Sequence, residues 1–334
     1  MNIQVFSDDQ ARVATNLASA YLAWRDARRQ WIDLGPPLNW KTRAGRDYLY
    51  STATAGAGTS LGPRTPETES LFAQVRARRE FLDVAVRGGW EASLLQARLY
   101  RATRLLAIGS PAAAILRMLD ESRMLDESLV VVGTSTMAAY ELEAAARFAM
   151  GMDATEDFDL AWAGPPTQLT IAGGRKTDAT LFAALKRLDS TFTINTERTF
   201  QARNSKAYEV DLLVAPSQVA NIPRDEKLQP LPLPEQEWLL MGRRVDHVVA
   251  ALDGTAARIV APDPRWMALH KLWLAEKPSR SPLKRDKDRR QGLALLDAVR
   301  ARMPHYPLDD EFERELPAEL ATRFTQWKGL RAAT

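Results

Sequence analysis

Leu129-Val-Val-Val-Gly-Thr-Ser-Thr-Met-Ala-Ala-Tyr-Glu141 is the stretch whose reading decides the fold. An apolar start, Leu129 to Val132, breaks at Gly133, passes the hydroxyl cluster Thr134, Ser135 and Thr136, and enters an alanine-rich run from Met137 to Met150. That order predicts a buried strand, a tight turn and a helix that Gly151 ends as a left-handed cap. Phe158 and Leu160 to Trp162 then resume an extended pattern carrying Asp157 and Asp159. Residues two apart on a strand share a face, so both carboxylates are expected at one site beside the glycine turn.

Two like charges held side by side are costly unless cations neutralise them. Mg²⁺ accepts carboxylate oxygens and leaves positions open for substrate phosphates. The N–H groups that follow Gly133, at the start of the expected helix, suit those phosphates. A third carboxylate lies in Tyr208-Glu-Val-Asp-Leu-Leu-Val-Ala215, where Asp211 interrupts an apolar, β-branched run. An unpaired acid buried there would be expensive, whereas a metal ligand would not.

Gly133-Thr134, Asp157-Phe-Asp159 and Asp211 on a later strand together resemble the catalytic core of the DNA polymerase β-like nucleotidyltransferase superfamily. Within it, Gly133 to Glu141, Ala154-Thr-Glu-Asp-Phe-Asp-Leu160, Asp47-Tyr-Leu-Tyr50 and Ser60-Leu-Gly-Pro63 are similar to a group of bacterial nucleotidyltransferase-domain proteins of unassigned substrate. The turn here reads Gly-Thr where that family usually has Gly-Ser, which keeps the hydroxyl. The resemblance implies an α+β fold with a mixed sheet. It also implies transfer of a nucleoside monophosphate from an NTP to an acceptor hydroxyl, with release of pyrophosphate. Two Mg²⁺ ions, or Mn²⁺, would sit on Asp157, Asp159 and Asp211, with the phosphates at Gly133, Thr134 and Ser135. The group also carries a Lys-Asp-x-x-Gln word, matched by Lys287-Asp288 and Gln291. A lysine there would neutralise the triphosphate as a flexible point charge, and Lys284 and Lys287 are the candidates.

The acceptor stays open between RNA, such as a tRNA end in a toxin-like role, a protein side chain and a small molecule. A catalytically silent nucleotide- or partner-binding module on the same fold is the alternative. Three retained carboxylates argue against it, because a module without metal has no reason to keep buried acids. Whether Glu156, His270 or Lys271 takes part is not legible, and neither is the oligomeric state.

Composition narrows the classes. With 334 residues the chain suits two or three domains and can bury a large core. The absence of cysteine excludes disulfides and thiolate chemistry, and only three histidines are available, which argues against zinc. No run of about 18 apolar residues occurs, and the N-terminus lacks the basic and apolar regions of a signal peptide, so the expected location is cytoplasmic, away from any membrane. A net charge of +3 says little by itself.

Along the chain, Phe6-Ser7-Asp-Asp-Gln10 resembles a staple and capping box opening a helix. Residues 38–52 read as a hairpin in which Lys41, Arg43 and Arg46 interleave with Trp40, Tyr48 and Tyr50, and residues 40–50 could bind RNA by charge and stacking. Ala53 to Gly58 reads as a loop. Thr65-Pro66 opens another helix, which Gly88-Gly89 is expected to stop before a further one from Glu91 to Ile108. Asp178 is expected to cap a helix through Leu188. Asp263-Pro264 and Ser281-Pro282 open the last helices, and residues 277–290, with seven basic and two acidic side chains, form a second candidate RNA surface. The expected organisation is a mostly helical region 1–127 with the hairpin, a catalytic core 128–216, and a mainly helical region 217–334 that completes the cleft.

Overall fold

The computed structural model describes residues 3–52, 58–148, 157–164, 170–171, 175–176 and 180–332. It is mixed α and β throughout, and the chain divides into two compact units. One comprises Ser19–Ser93 with Gln168–Asp178; the other comprises Met1–Ala18, Leu94–Thr167 and Ala179–Thr334.

The capping box forms as expected. Ser7 Oγ accepts the Gln10 N–H at 3.3 Å and Gln10 Oε1 accepts the Ser7 N–H at 3.0 Å, which opens α1 (Asp8–Asp33). Next come β1 (Leu38–Arg43) and β2 (Arg46–Ser51), joined through Ala44 and Gly45, both at positive φ as a two-residue hairpin turn requires. A third antiparallel strand, β3 (Thr59–Pro63), adds to the expected hairpin. Residues 53–57 of the anticipated loop lie outside the described residues.

α2 (Pro66–Ala102) then runs without a break through Gly88-Gly89, where the sequence predicted a stop. The glycines serve contact instead. A Cβ on Gly89 would stand 3.1 Å from Trp24 Cα, so the bare backbone lets α1 approach, and the Trp24 and Trp90 rings pack 5.0 Å apart. A helical glycine costs about 1 kcal/mol relative to alanine. Burying Tyr21 and Trp24 offsets that cost, since a fully buried large apolar side chain contributes about 1.5–3 kcal/mol. The helix ends at Ala102 rather than Ile108; Ile108 instead makes a β-bridge to Ala251.

The larger unit holds α3 (Ser110–Glu121), β4 (Leu129–Val132), α4 (Met137–Glu143), β5 (Asp157–Trp162), α5 (Leu181–Leu188), β6 (Thr193–Ile194), β7 (Gln201–Arg203), β8 (Glu209–Val214), β9 (Leu231–Pro232), β10 (Val245–Ala250), β11 (Ala256–Ala261), α6 (Pro264–Glu276), α7 (Pro282–Arg302) and α8 (Ala318–Ala332). Its main sheet has the order β6-β7-β8-β5-β4, with β9 beside the end of β8. β5 runs antiparallel to β4 and parallel to β8. All of β4 is buried, and Val210, Leu212 and Val214 alternate inward along β8 with a period of two. One core continues from this sheet through β10, β11 and the C-terminal helices as far as Trp327.

Three local expectations change. α4 stops at Glu143, well before Met150, because Ala145 turns to φ +45° and Ala146–Arg147 pairs with Gln4–Val5. The Glu141 carboxylate then accepts the Phe148 N–H at 2.6 Å. Gly151, the anticipated cap, lies outside the described residues, as does Asp178. The cap of α5 is Thr180, whose Oγ1 accepts the Ala183 N–H at 3.2 Å. Finally, the antiparallel pair β10–β11 stands in a region expected to be mainly helical.

α6 and α7 pack closely because of Gly292. A Cβ there would lie 2.8 Å from the Ala268 carbonyl oxygen and from Leu272. Gly292→Ala should force the helices apart and lower stability by about 1–3 kcal/mol, despite alanine's better helix propensity. Denaturant unfolding of the two proteins checks this.

Near the end of α4, Glu143 receives two imidazoles: His247 Nε2 at 2.6 Å and His305 Nε2 at 2.5 Å. The His247 hydrogen bond is the main reason this half-buried carboxyl is pulled down to about 2. A depressed carboxyl stabilises the fold fully above its unfolded value near 4.5, and that stability is lost as pH falls towards 2. Solvent screening holds the effect to about 1–2 kcal/mol. Glu143→Gln should therefore flatten the fall in Tm between pH 4.5 and 2.

Candidate active site

β4, β5 and β8 lie side by side, and their register assembles the site. Val132 pairs with Asp159, Asp159 with Asp211, and Asp157 with Glu209. Gly133 follows at the end of β4 with φ +79° and ψ −154°, a region open essentially to glycine alone. A Cβ at this position would stand 2.6 Å from Asp159 Oδ2, so the turn backbone lies directly against that carboxylate. Thr134–Thr136 form one 3₁₀ turn, tied by the Thr136 hydroxyl donating to the Gly133 carbonyl at 2.7 Å.

A cavity of about 380 Å³ opens here. Gly133, Thr134, Asp159, Asp211, Lys284 and Lys287 all border it, so six of the eight residues singled out in the sequence meet at one place. Ser135 borders a smaller neighbouring pocket with Gly109 and Tyr208, sharing only Thr134 with the main cavity. Asp157 opens β5 in register beside Glu209, while its side chain lies outside the described residues, as does Glu156 altogether.

Gln201 orders the acidic wall. It is 3 % exposed, pairs with Asp211 across β7 and β8, and donates through Nε2 to Asp211 Oδ1 at 2.9 Å and Glu209 Oε2 at 3.3 Å. Glu209 itself was missed, although it stands two residues before Asp211 and the period of two places both on one face. Among the described residues no three acidic or imidazole side chains close into a cage for an ion. The two carboxylates Asp159 and Asp211 are nevertheless hard oxygen donors on one cavity. That donor set fits Mg²⁺, which keeps waters and takes phosphate oxygens rather than an all-protein cage.

The opposite charge comes mainly from α6, α7 and their connection. Lys271 is almost fully buried yet borders the cavity, and its Nζ lies 3.0 Å from Asp288 Oδ1. Arg280 holds the other oxygen, Asp288 Oδ2, through Nε and Nη2, both at 2.9 Å. Burial pushes the Lys271 ammonium below the ordinary lysine value, while Asp288 and, more weakly, Asp159 pull it back up. Half-buried Lys287 is lowered too, by burial and then by Lys271. Asp288 and Gln291 are fully buried, so the Lys-Asp-x-x-Gln word faces inward, with Lys284 exposed at the rim.

His270 borders the cavity as a buried ring packed among tryptophans. Burial pushes it down to about 3, which keeps the imidazole neutral, and its ring stacks on Trp273 and meets Trp238 edge-on. Lys271 and Arg280 gave little local sign in the sequence: Lys271 stands between His270 and Leu272 in a largely apolar helix, and its counter-ion lies 17 residues on.

No curated protein and no solved structure matches the chain. A family model described as nucleotidyltransferase matches residues 110–317, which include every residue of the cavity and more than half of the protein. The chain therefore belongs to the nucleotidyltransferase family.

Proposed function

We propose that this protein transfers a nucleoside monophosphate from an NTP to the hydroxyl of an RNA acceptor, in a Mg²⁺-dependent reaction in the cavity between β5, β8 and α6. The observation that carries the reading is the parallel register of Asp159 with Asp211, beside a glycine turn whose backbone touches the Asp159 carboxylate. Backbone N–H groups after Gly133, with the Thr134 hydroxyl, hold the phosphates, while Ser135 borders the neighbouring pocket. Asp157, Asp159 and Asp211 would hold two Mg²⁺, or Mn²⁺; when bound, these neutralise the triphosphate and polarise the α-phosphorus. Asp211, oriented by Gln201, takes the proton of the acceptor hydroxyl as its oxygen attacks the α-phosphorus. The bond from that phosphorus to the bridging oxygen breaks, and pyrophosphate leaves.

RNA is favoured as acceptor by the smaller unit. The β1–β2 register sets Lys41 opposite Tyr48 and Arg43 opposite Arg46. Lys41 and Arg43 stand 5.1 and 5.4 Å from the Tyr50 ring centroid, so charge and aromatic surface occur together. The basic run 277–290 supports RNA less directly. Lys277 covers the Trp273 ring at 3.5 Å, and Arg280, Lys284 and Lys287 turn to the cavity.

The test is incubation with Mg²⁺, each of four α-labelled NTPs and total RNA, followed by separation of RNA from protein. Label on RNA that disappears with Asp211→Asn supports the reading. Label on the protein would replace the acceptor, and release of labelled monophosphate with no acceptor labelled would replace the reaction with hydrolysis. A toxin-like role predicts that expression arrests growth, and that Asp211→Asn relieves the arrest.

A further inference from the structure

We propose that Asp288 is a positioning residue that aims Lys271 and Arg280 at the β- and γ-phosphates, so that this pair, rather than Lys284 and Lys287, recognises the triphosphate and the departing pyrophosphate. The inference rests on the nucleotidyl-transfer reading of the cavity and names the cations of that site.

Three observations carry it. First, Asp288 is fully buried and is not among the residues bordering the cavity, whereas both of its partners border it. It can act on a nucleotide only through them. Second, the charges do not balance. Each carboxylate oxygen holds a different cation, Lys271 on Oδ1 and Arg280 on Oδ2, so two positive charges share one negative charge. A buried pair kept only for the fold would be neutral, because each extra buried charge carries a desolvation cost. The surplus lies at the cavity, where the Asp159 carboxylate offsets part of it and a bound phosphate would take the rest. Third, the pair is fixed and aimed. Lys271 borders the same cavity as Asp159 and lies within its electrostatic reach, while its ammonium is tied to Asp288 Oδ1 at 3.0 Å. Its helix is held against α7 by the close approach at Gly292. Lys284, exposed at the rim, is screened by water and salt, whereas a cation in a fixed, desolvated position binds phosphate more strongly.

Pyrophosphate with Mg²⁺ is the probe, because it needs neither the right base nor the acceptor. Calorimetric titration of the full-length protein should show Lys271→Met and Arg280→Gln each weakening binding about tenfold or more, with Lys284→Gln and Lys287→Gln changing it about threefold or less. Asp288→Asn decides between mechanisms by its sign. It raises the net charge by one, so simple charge attraction predicts tighter binding. Loss of positioning predicts binding about fivefold weaker or more. Tighter or unchanged binding in a folded Asp288→Asn protein overturns the proposal, as do larger losses at Lys284 or Lys287 than at Lys271 and Arg280. Should Asp288→Asn fail to fold, Arg280→Gln decides alone, since that side chain is 31 % exposed and tolerates replacement. A wild type that binds neither pyrophosphate nor any of four NTPs contradicts the nucleotidyl-transfer reading itself. A wild type that binds both, with no dependence on Lys271 or Arg280, contradicts the inference alone.

Discussion

Asp159→Asn is expected to lower nucleotidyl transfer by at least about a thousandfold while leaving the protein folded. Asparagine keeps the size of the side chain and loses the charge that an Mg²⁺–phosphate site requires. Asp159 stands at the centre of the arrangement, paired with Val132 on one side and Asp211 on the other, with the Gly133 backbone against its Oδ2. On one side β4 is fully buried, on the other Val210, Leu212 and Val214 of β8 are, and Phe158 and Leu160 hold β5 in place independently of the carboxylate. Thermal unfolding should therefore shift by only a few degrees, about 1 kcal/mol in either direction. Initial rates of pyrophosphate release, measured beside a melting curve, check both halves. Unchanged activity in the folded variant would remove Asp159 from the site.

Gly133→Ala is the second large effect, and it differs in kind. The backbone at φ +79° and ψ −154° strains any side chain, and the new methyl would fall 2.6 Å from Asp159 Oδ2. Both stability and activity should drop: about 2–4 kcal/mol of stability from strain and displacement, and about a hundredfold in rate, the loss expected when a catalytic group moves by about 1 Å. Thr134→Ala supplies the contrast, since it removes a hydroxyl without steric conflict. It should keep the wild-type melting temperature within about 2 °C and lose mainly NTP affinity. Equal destabilisation by both substitutions would contradict the steric account of Gly133.

The chemistry-bearing strands were legible because each feature has a local cause. A β-branched run ending in glycine, two acids two residues apart, and an acid inside an apolar strand all follow from the period of a strand and the cost of buried charge. Helix starts were equally plain at Ser7, Thr65 and Asp263, where a side-chain oxygen accepts an orphan N–H.

Endings were not. Gly88-Gly89 looks like a stop in isolation, and only the Trp24 backbone beside Gly89 shows why glycine stands inside a helix. Ala145, where the chain turns after α4, carries no sequence mark of its positive φ. The β10–β11 pair did leave a sign, Asp253-Gly254 between apolar runs, with Gly254 at φ +82°. The local word Lys287-Asp288 pointed to the right helix, but the lysine held by Asp288 comes from α6. That partnership is tertiary and has no local signature.

The most direct measurement of the central claim is a crystal structure of the wild-type protein grown with Mn²⁺ and an NTP whose α–β bridge resists cleavage. Anomalous density for the metal against the Asp159 and Asp211 carboxylates is the predicted result, with the triphosphate along the turn after Gly133 and its far end on Lys271 and Arg280. A metal–nucleotide complex ordered elsewhere, with this cavity holding only water, would contradict it.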